Sequence, residues 1–390
     1  MGRVLLRGAE LLDPEASLPA AGSLLLEGGR IAARLPADAS PPPDARCVDL
    51  AGLALAPGFL DLHHHGRVIF ADAAGLADAL LHDASILPRH GTTGFLVTTI
   101  SLARDALSGI VDRLAELVGS GVPDGRSQPL GIHLEGPWIS SEAAGAHSPR
   151  GIHHYDAAAD GAIWSRAAGL VRMVTLAPEL EGAWALMTRL EQLGVIAALG
   201  HSLAPAEIVT QAVTRGARHV THLFNAMGSL HHRAPGLAGA ALAEDRLSCD
   251  LICDGVHVHP QLLAVAARAK RDRLALITDR LDPPERGPGE TLAGELRDDG
   301  AVYRLPDGRL AGSRLDLARA VANARAMAGM SRLEAVAACT LRPALLLGIE
   351  AERGTLRPGA RADLVALDPE DAVVETWIGG ERAYAAGGRR

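Results

Sequence analysis

A chain of 390 residues with 48% hydrophobic and 22% charged side chains has the make-up of a folded globular protein and not of a disordered one. Its net charge of -8, without any Lys/Arg-rich stripe, argues against nucleic-acid or anionic-membrane binding. No apolar stretch approaches the ~20 residues that cross a bilayer, and MGRVLLRGAELLDP has neither the apolar run nor the cleavage pattern of a secretion signal, so the chain reads as cytoplasmic.

Residues 1–55 read as all-β. VLLRGAELL, GSLLLEGGRIAARL and CVDLAGLALA are short runs broken by Gly and Pro, and Gly28-Gly29 fits a hairpin turn. The C-terminal stretch repeats this texture in ADLVALDP and AVVETWIGGERAYAAG, with Gly379-Gly380 as its turn. Both ends together predict one small β-sandwich domain, residues 1–55 plus 355–390, beside a catalytic domain at 56–354.

The middle alternates. LALAPGFLDL, GFLVTTI, PLGIHLE, VRMVTLAP, VIAALG, RHVTHL, LICDG and LALITD are strand candidates, mostly separated by helical stretches such as LADALLHDASILPRH and ALSGIVDRLAELVGS. Eight strands with intervening helices predict an α/β fold, a (β/α)8 TIM barrel. No GxGxxG or Walker motif supports a doubly wound sheet instead. After the last strand, RLDPPERGPGETLAGELRDDGAVYRLPDGRLAGS is a long Gly/Pro/charge-rich excursion of a kind that is usually functional or flexible. Helices resume with DLARAVANARAMAG.

Metal-ligand residue types close five of the strand candidates. His63 and His65 in DLHHHG alternate along a strand and so share a face, while His64 points the other way. Glu135 ends an apolar run, where a carboxylate must be paired, hydrogen-bonded or metal-bound. His201 in LGHS and His222 in THLFN end the next strands. Asp279 ends the last, placed to take a proton from a metal-bound water and pass it to a leaving amine. Together they predict a hydrolase holding one or two divalent ions, with Zn2+ favoured and Fe2+ or Co2+ as alternatives. Lys270, the only lysine, reads as the exposed end of a helix, which removes a lysine-derived bridging ligand and leaves Glu135 in that place. The four cysteines, Cys47, Cys249, Cys253 and Cys339, form no CxxC pair and read as buried structural thiols.

The ordered series PGFLDLHHHG, GIHLEGPW, TLAPE, LGHS, THLFNAM, PGLAGAAL, DGVHVHP, ITD and LAGSRL resembles the N-acetylglucosamine-6-phosphate deacetylases of the amidohydrolase superfamily, from about residue 50 to the C-terminus. The resemblance implies a barrel with a small β-sandwich, usually a homodimer, that removes acetate from N-acetylglucosamine 6-phosphate. It implies Glu135, His201 and His222 as the main metal site, His63 and His65 as ligands for a second ion, and Asp279 as acid/base. His147 in GAHSP matches a histidine beside the scissile amide, and Asn225, Ala226, Arg233 and His257 match substrate-binding positions. Arg233 also has the planar, permanent charge that suits phosphate.

The chain departs from the family at Arg280, where a small residue usually follows the catalytic Asp, and more mildly at Ala234 and Val97. A cation at Arg280 lowers the pKa of Asp279 if it folds inward and leaves it alone if it points away. These departures bear on the substrate, with an unphosphorylated sugar or the galacto epimer as the alternative, more than on the reaction. A catalytically silent binding protein of the same fold is the rival of another class.

Overall fold

The computed structural model describes residues 2–167, 169–284 and 295–388. Five strands come first: β1 (Arg3–Leu11), β2 (Ala20–Glu27), β3 (Arg30–Leu35), β4 (Ala45–Asp49) and β5 (Ala54–Pro57). Gly28 and Gly29 join β2 to β3 with φ of 59° and 77°, the left-handed pair that a two-residue hairpin turn requires.

Eight strands follow: β6 (Phe59–Gly66), β7 (Thr92–Thr98), β8 (Gln128–Glu135), β9 (Val171–Leu176), β10 (Ile196–Leu199), β11 (His219–Val220), β12 (Ser248–Ile252) and β13 (Leu274–Ile277). Each pairs in parallel with the next. A helix occupies every interval: α1 (Leu76–Ile86), α2 (Arg104–Ser120), α3 (Gly161–Arg166), α4 (Ala183–Leu193), α5 (Ala206–Thr214), α6 (Gly236–Ala243) and α7 (Pro260–Lys270). β6 and β7 are buried along their whole length, as parallel strands covered on both faces must be. The sheet curls so that the chain leaving β13 returns to β6. The Asp279 N–H donates to the His63 carbonyl at 2.9 Å, and the Thr278 hydroxyl donates to Asp61 at 2.6 Å, tying the chain beyond β13 to β6.

Past Asp279 come β14 (Arg280–Leu281), β15 (Arg297–Asp298), β16 (Val302–Arg304) and β17 (Leu310–Ser313), which extend the same sheet beyond β6 to twelve strands. Then α8 (Leu317–Ala328), α9 (Arg332–Cys339) and α10 (Leu341–Leu347) lead to β18 (Leu364–Leu367), β19 (Val373–Ile378) and β20 (Glu381–Ala385). These last three join the first five in a separate eight-stranded sheet, ordered β20-β19-β18-β5-β1-β2-β3. β4 pairs with β1 as well, along residues 3–7, where β5 takes residues 10–11. This sheet encloses its own core, with Leu6, Leu24, Leu55, Leu364 and Trp377 fully buried.

Several expectations need correction. LALAPGFLDL is not one strand: it breaks at Gly58, with Ala54–Pro57 in one sheet and Phe59–Gly66 in the other. A Cβ at Gly58 would lie 2.3 Å from the Thr93 side chain, so only glycine lets the chain change sheets here. RHVTHL contributes only His219–Val220 to the sheet. The excursion after Asp279 contains four short strands, and its residues 285–294 lie outside the described residues. Cys47 is exposed, whereas Cys249, Cys253 and Cys339 are buried, and burial pushes the Cys249 and Cys253 thiols up to about 12.

Lys270 is also corrected, being buried and not exposed. Its Nζ donates to the carbonyls of Ala241 (3.0 Å) and Glu244 (2.7 Å), satisfying the end of α6. Because it precedes β13, it stands at the opposite end of the strands from Asp279, so it still supplies no ligand there.

Candidate metal centre and active site

The strand ends bring Glu135 into the middle of a ring of imidazoles. Glu135 Oε1 lies 2.8 Å from His222 Nε2 and 3.1 Å from His201 Nε2, and those two nitrogens are 3.0 Å apart. His63 Nε2 is 3.5 Å from the same oxygen, and His65 Nε2 is 3.3 Å from Oε2. The HxH alternation on β6 puts His63 and His65 on one face, with their Nε2 atoms 3.2 Å apart. Asp279 Oδ1 closes the ring, 3.3 Å from His65 and 3.6 Å from His63.

Backbone strain aims these groups. His201, His222 and Asp279 follow the ends of β10, β11 and β13 with φ of 48°, 30° and 48°, left-handed values that non-glycine residues adopt only when their surroundings impose them. The turn after His201 is held by Glu179, which accepts from the Ser202 hydroxyl and the Leu203 N–H, both at 2.7 Å. Glu179 lies in the TLAPE run, whose partner becomes evident only in three dimensions.

Second nitrogens fix the tautomers. His201 Nδ1 donates to the Ala143 carbonyl (2.8 Å) and His65 Nδ1 to the Thr98 carbonyl (3.2 Å), so in the neutral rings both Nε2 lone pairs face Glu135. His147 is the reverse. Its Nδ1 accepts the Ser101 N–H at 3.0 Å, so Nε2 carries the ring proton, 3.1 Å from Glu135 Oε2. That nitrogen sits among the ligand atoms but offers a donor and no lone pair.

The electrostatics fit a cation. Burial alone would raise Glu135 and Asp279, yet the surrounding imidazoles hold both well below the usual carboxylate range. Burial drives His201 down to about 4, whereas at His65 Asp279 and Glu135 overcome burial and raise the ring to about 10. Two carboxylates thus draw positive charge into a buried ring of imidazoles, the charge a divalent ion carries. The donor set of imidazole nitrogen and carboxylate oxygen suits Zn2+, Fe2+ or Co2+.

These groups open onto a cavity of about 310 Å3 lined by His65, Glu135, His147, His201, His222 and Asp279. Asn225, Ala226 and His257 line it too. His257 Nδ1 is 2.6 Å from Asp254 Oδ2, and its Nε2 is buried with no hydrogen-bond partner. His63 is buried beneath the cavity, with ring contacts to His65 and His133. Arg233 is not brought in: it is exposed, and its Nη1 lies 2.8 Å from His232 Nε2. Arg309 does line the cavity and was missed by the sequence reading; its guanidinium donates to the Gly145 carbonyl. The neighbouring LAGS run was the only signal for that segment.

A family model described as "Amidohydrolase family" matches residues 54–383. This chain belongs to the amidohydrolase family. Within the family it is 36% identical over 335 residues to the N-acetylgalactosamine-6-phosphate deacetylase of Escherichia coli O157:H7, covering 84% of this chain and 87% of that protein. It is likewise 36% identical over 394 residues to the N-acetylglucosamine-6-phosphate deacetylase of Bos taurus, covering 97% and 90%. Among solved structures, the N-acetylglucosamine-6-phosphate deacetylase from Pasteurella multocida superposes with a TM-score of 0.90 at 26% identity, over 98% of this chain and 100% of that one. A mutant deacetylase from Mycobacterium smegmatis, in complex with N-acetyl-D-glucosamine-6-phosphate, gives a TM-score of 0.88 at 32% identity, over 99% and 100%.

Proposed function

We propose that this amidohydrolase cleaves the N-acetyl group of N-acetylglucosamine 6-phosphate, giving glucosamine 6-phosphate and acetate. The observation that carries the reading is Glu135, buried between two pairs of imidazoles with Asp279 beside it, in a chain related over most of its length to enzymes named for this reaction. Glu135, His201 and His222 would hold a divalent ion, with His63 and His65 for a second, and Zn2+, the ion proposed, would supply Lewis acidity and a water of lowered pKa there.

The chain's own residues do the rest. Asp279 accepts the proton of the attacking water at Oδ1 and returns it to the departing nitrogen as the C–N bond breaks. His147 donates its Nε2–H to the oxyanion that develops on the carbonyl oxygen. His257, steadied by Asp254, and the Asn225-Ala226 turn orient the sugar. Arg233 is the phosphate contact proposed from its charge and motif. Since it stands on an exposed segment outside the cavity, it meets the phosphate through a change in that segment or from a neighbouring chain, which fits the homodimer inferred from the family resemblance.

The same reading takes the fold as a (β/α)8 barrel at 56–354 and a small β-sandwich at 1–55 plus 355–390. Eight sequential parallel strands in a curled sheet, with the chain beyond the eighth bonded back to the first, and a second sheet folded round its own core support it. Among the described residues no helix is long and apolar enough to cross a membrane, and a cytoplasmic setting is part of the proposal.

The galacto epimer is the second reading, favoured by the Escherichia coli relative that bears that name. Acetate release from both 6-phosphates and from the unphosphorylated sugars, by metal-loaded protein and by Asp279→Asn, separates the cases. Faster release from N-acetylglucosamine 6-phosphate, lost in the variant, is expected. Preference for the galacto sugar installs the second reading, and no release from any of them overturns both.

A further inference from the structure

His64 turns away from its neighbours, out of the catalytic ring and toward α1. It is 1% exposed, stands edge-on to Phe95 with ring centroids 5.5 Å apart, and neither of its nitrogens has a hydrogen-bond partner. A buried imidazole with both nitrogens unused is costly. Its Nε2 lies 3.9 Å from Oδ2 of Asp83, a carboxylate that is itself fully buried. That separation is too long for a hydrogen bond and short enough for two ligands of one ion.

Two more groups reach Asp83 from the solvent side. His82, beside Asp83 on α1, sets its Nε2 2.6 Å from Oδ2 of Asp282, three residues beyond Asp279. Ligand atoms of His82, Asp83 and Asp282 all lie within 4.8 Å of one another. Gly66 leaves the space open. A Cβ there would lie 2.1 Å from Asp83 Oδ2 and 2.6 Å from His64 Nε2, and its φ of +55° disfavours any side chain.

We propose that His64, His82, Asp83 and Asp282 form a divalent-cation site of the zinc type, separate from the catalytic ring and on the other side of β6. Two carboxylates and two neutral imidazoles balance a dipositive ion, and this nitrogen–oxygen donor set is the kind that zinc takes. The charge now facing Asp282 is Arg67, whose Nη2 is 3.5 Å from Oδ2; its N–H also donates to both Asp83 oxygens, at 3.1 and 3.0 Å. The guanidinium is held loosely, for its Nε has no partner, and a third of the side chain is exposed, so it yields to an ion. Bound there, the ion ties α1 to the segment that leaves Asp279.

The test is zinc content per chain after equilibrium dialysis against Zn2+, read by mass spectrometry for wild type, His82→Gln, Asp282→Asn and Glu135→Gln. Wild type should hold one equivalent more than either His82→Gln or Asp282→Asn, and Zn2+ should raise its melting temperature further than theirs. Glu135→Gln should lose catalytic metal and keep this equivalent. Equal zinc in wild type and His82→Gln overturns the proposal, as does joint loss of both classes of metal in Glu135→Gln. His82 is partly exposed on a helix, so its substitution leaves the fold intact. The count is read without any substrate, so it stands or falls apart from the deacetylase reading.

Discussion

The backbone N–H of Ser101 donates to Nδ1 of His147, and this single bond decides what the imidazole does in the cavity. It keeps the proton on Nε2, so His147 is a hydrogen-bond donor beside Glu135 and offers no lone pair to a cation there. Removing that donor should lower kcat by about 100- to 1000-fold, the cost typical of a lost oxyanion contact. His147→Phe should show this in steady-state acetate release while its metal content stays at the wild-type level. A variant that loses metal in proportion to activity would make His147 a ligand instead.

Chelation should stop acetate release and destabilise the fold together, because an ion that binds only the native state stabilises it. At a free-ion concentration 100 times the Kd, one site adds about 2.7 kcal/mol. Differential scanning calorimetry with and without chelator reads the change. Glu135→Gln should lose the part of that response that comes from the ring around residue 135, since the carboxylate between the imidazole pairs is gone.

Lys270 should matter for stability and not for catalysis. Its two bonds close the end of α6, and Lys270→Met leaves the Ala241 and Glu244 carbonyls without that partner. A loss of about 1–3 kcal/mol is expected in urea unfolding. kcat/KM for the amide should be unchanged at a temperature where the variant stays folded.

Asp316 should give part of the stability its acid dependence. Burial would raise its pKa, but the hydrogen bond from His90 and the Arg319 N–H at the start of α8 hold it below the ordinary value. In the window below ~3.9 the unfolded chain therefore binds a proton that the folded chain does not. The contribution is complete above that value and disappears as pH falls through the folded pKa. Asp316→Asn keeps an N-capping side chain without the charge, so its deficit against wild type should be full above ~3.9 and close as the pH falls below that. Unfolding curves at several pH values measure the gap; a constant gap would remove the charge from the account.

What could be read from the sequence is what periodicity and strand termini encode. His63 and His65 share a face because strands alternate, and Glu135, His201, His222 and Asp279 sit where apolar runs stop, which is where parallel strands present side chains. Residues outside such patterns were not legible. Lys270 looks exposed in RAKRDR because a sequence does not show that two helix-end carbonyls await it. The sheet change at Gly58 depends on Thr93, distant in the chain. Arg280 was open in either direction, and it points away from the carboxylate of Asp279: its Nη1 donates to the carbonyls of Arg314 and Leu315 at 2.7 and 3.2 Å. Arg233 lies on an irregular segment whose position follows from no pattern of its own.

The pairing of β18 with β5 has a consequence for synthesis. Translation delivers β1 to β5 first, but the strand that covers the free edge of β5 is made only after every strand of the other sheet. Until then Leu55 and its neighbours present an unpaired apolar edge, the kind of surface that other chains can join. The open edge thus belongs to one of the earlier strands of this sheet, and β18, made after all twelve strands of the other sheet, is the one that covers it.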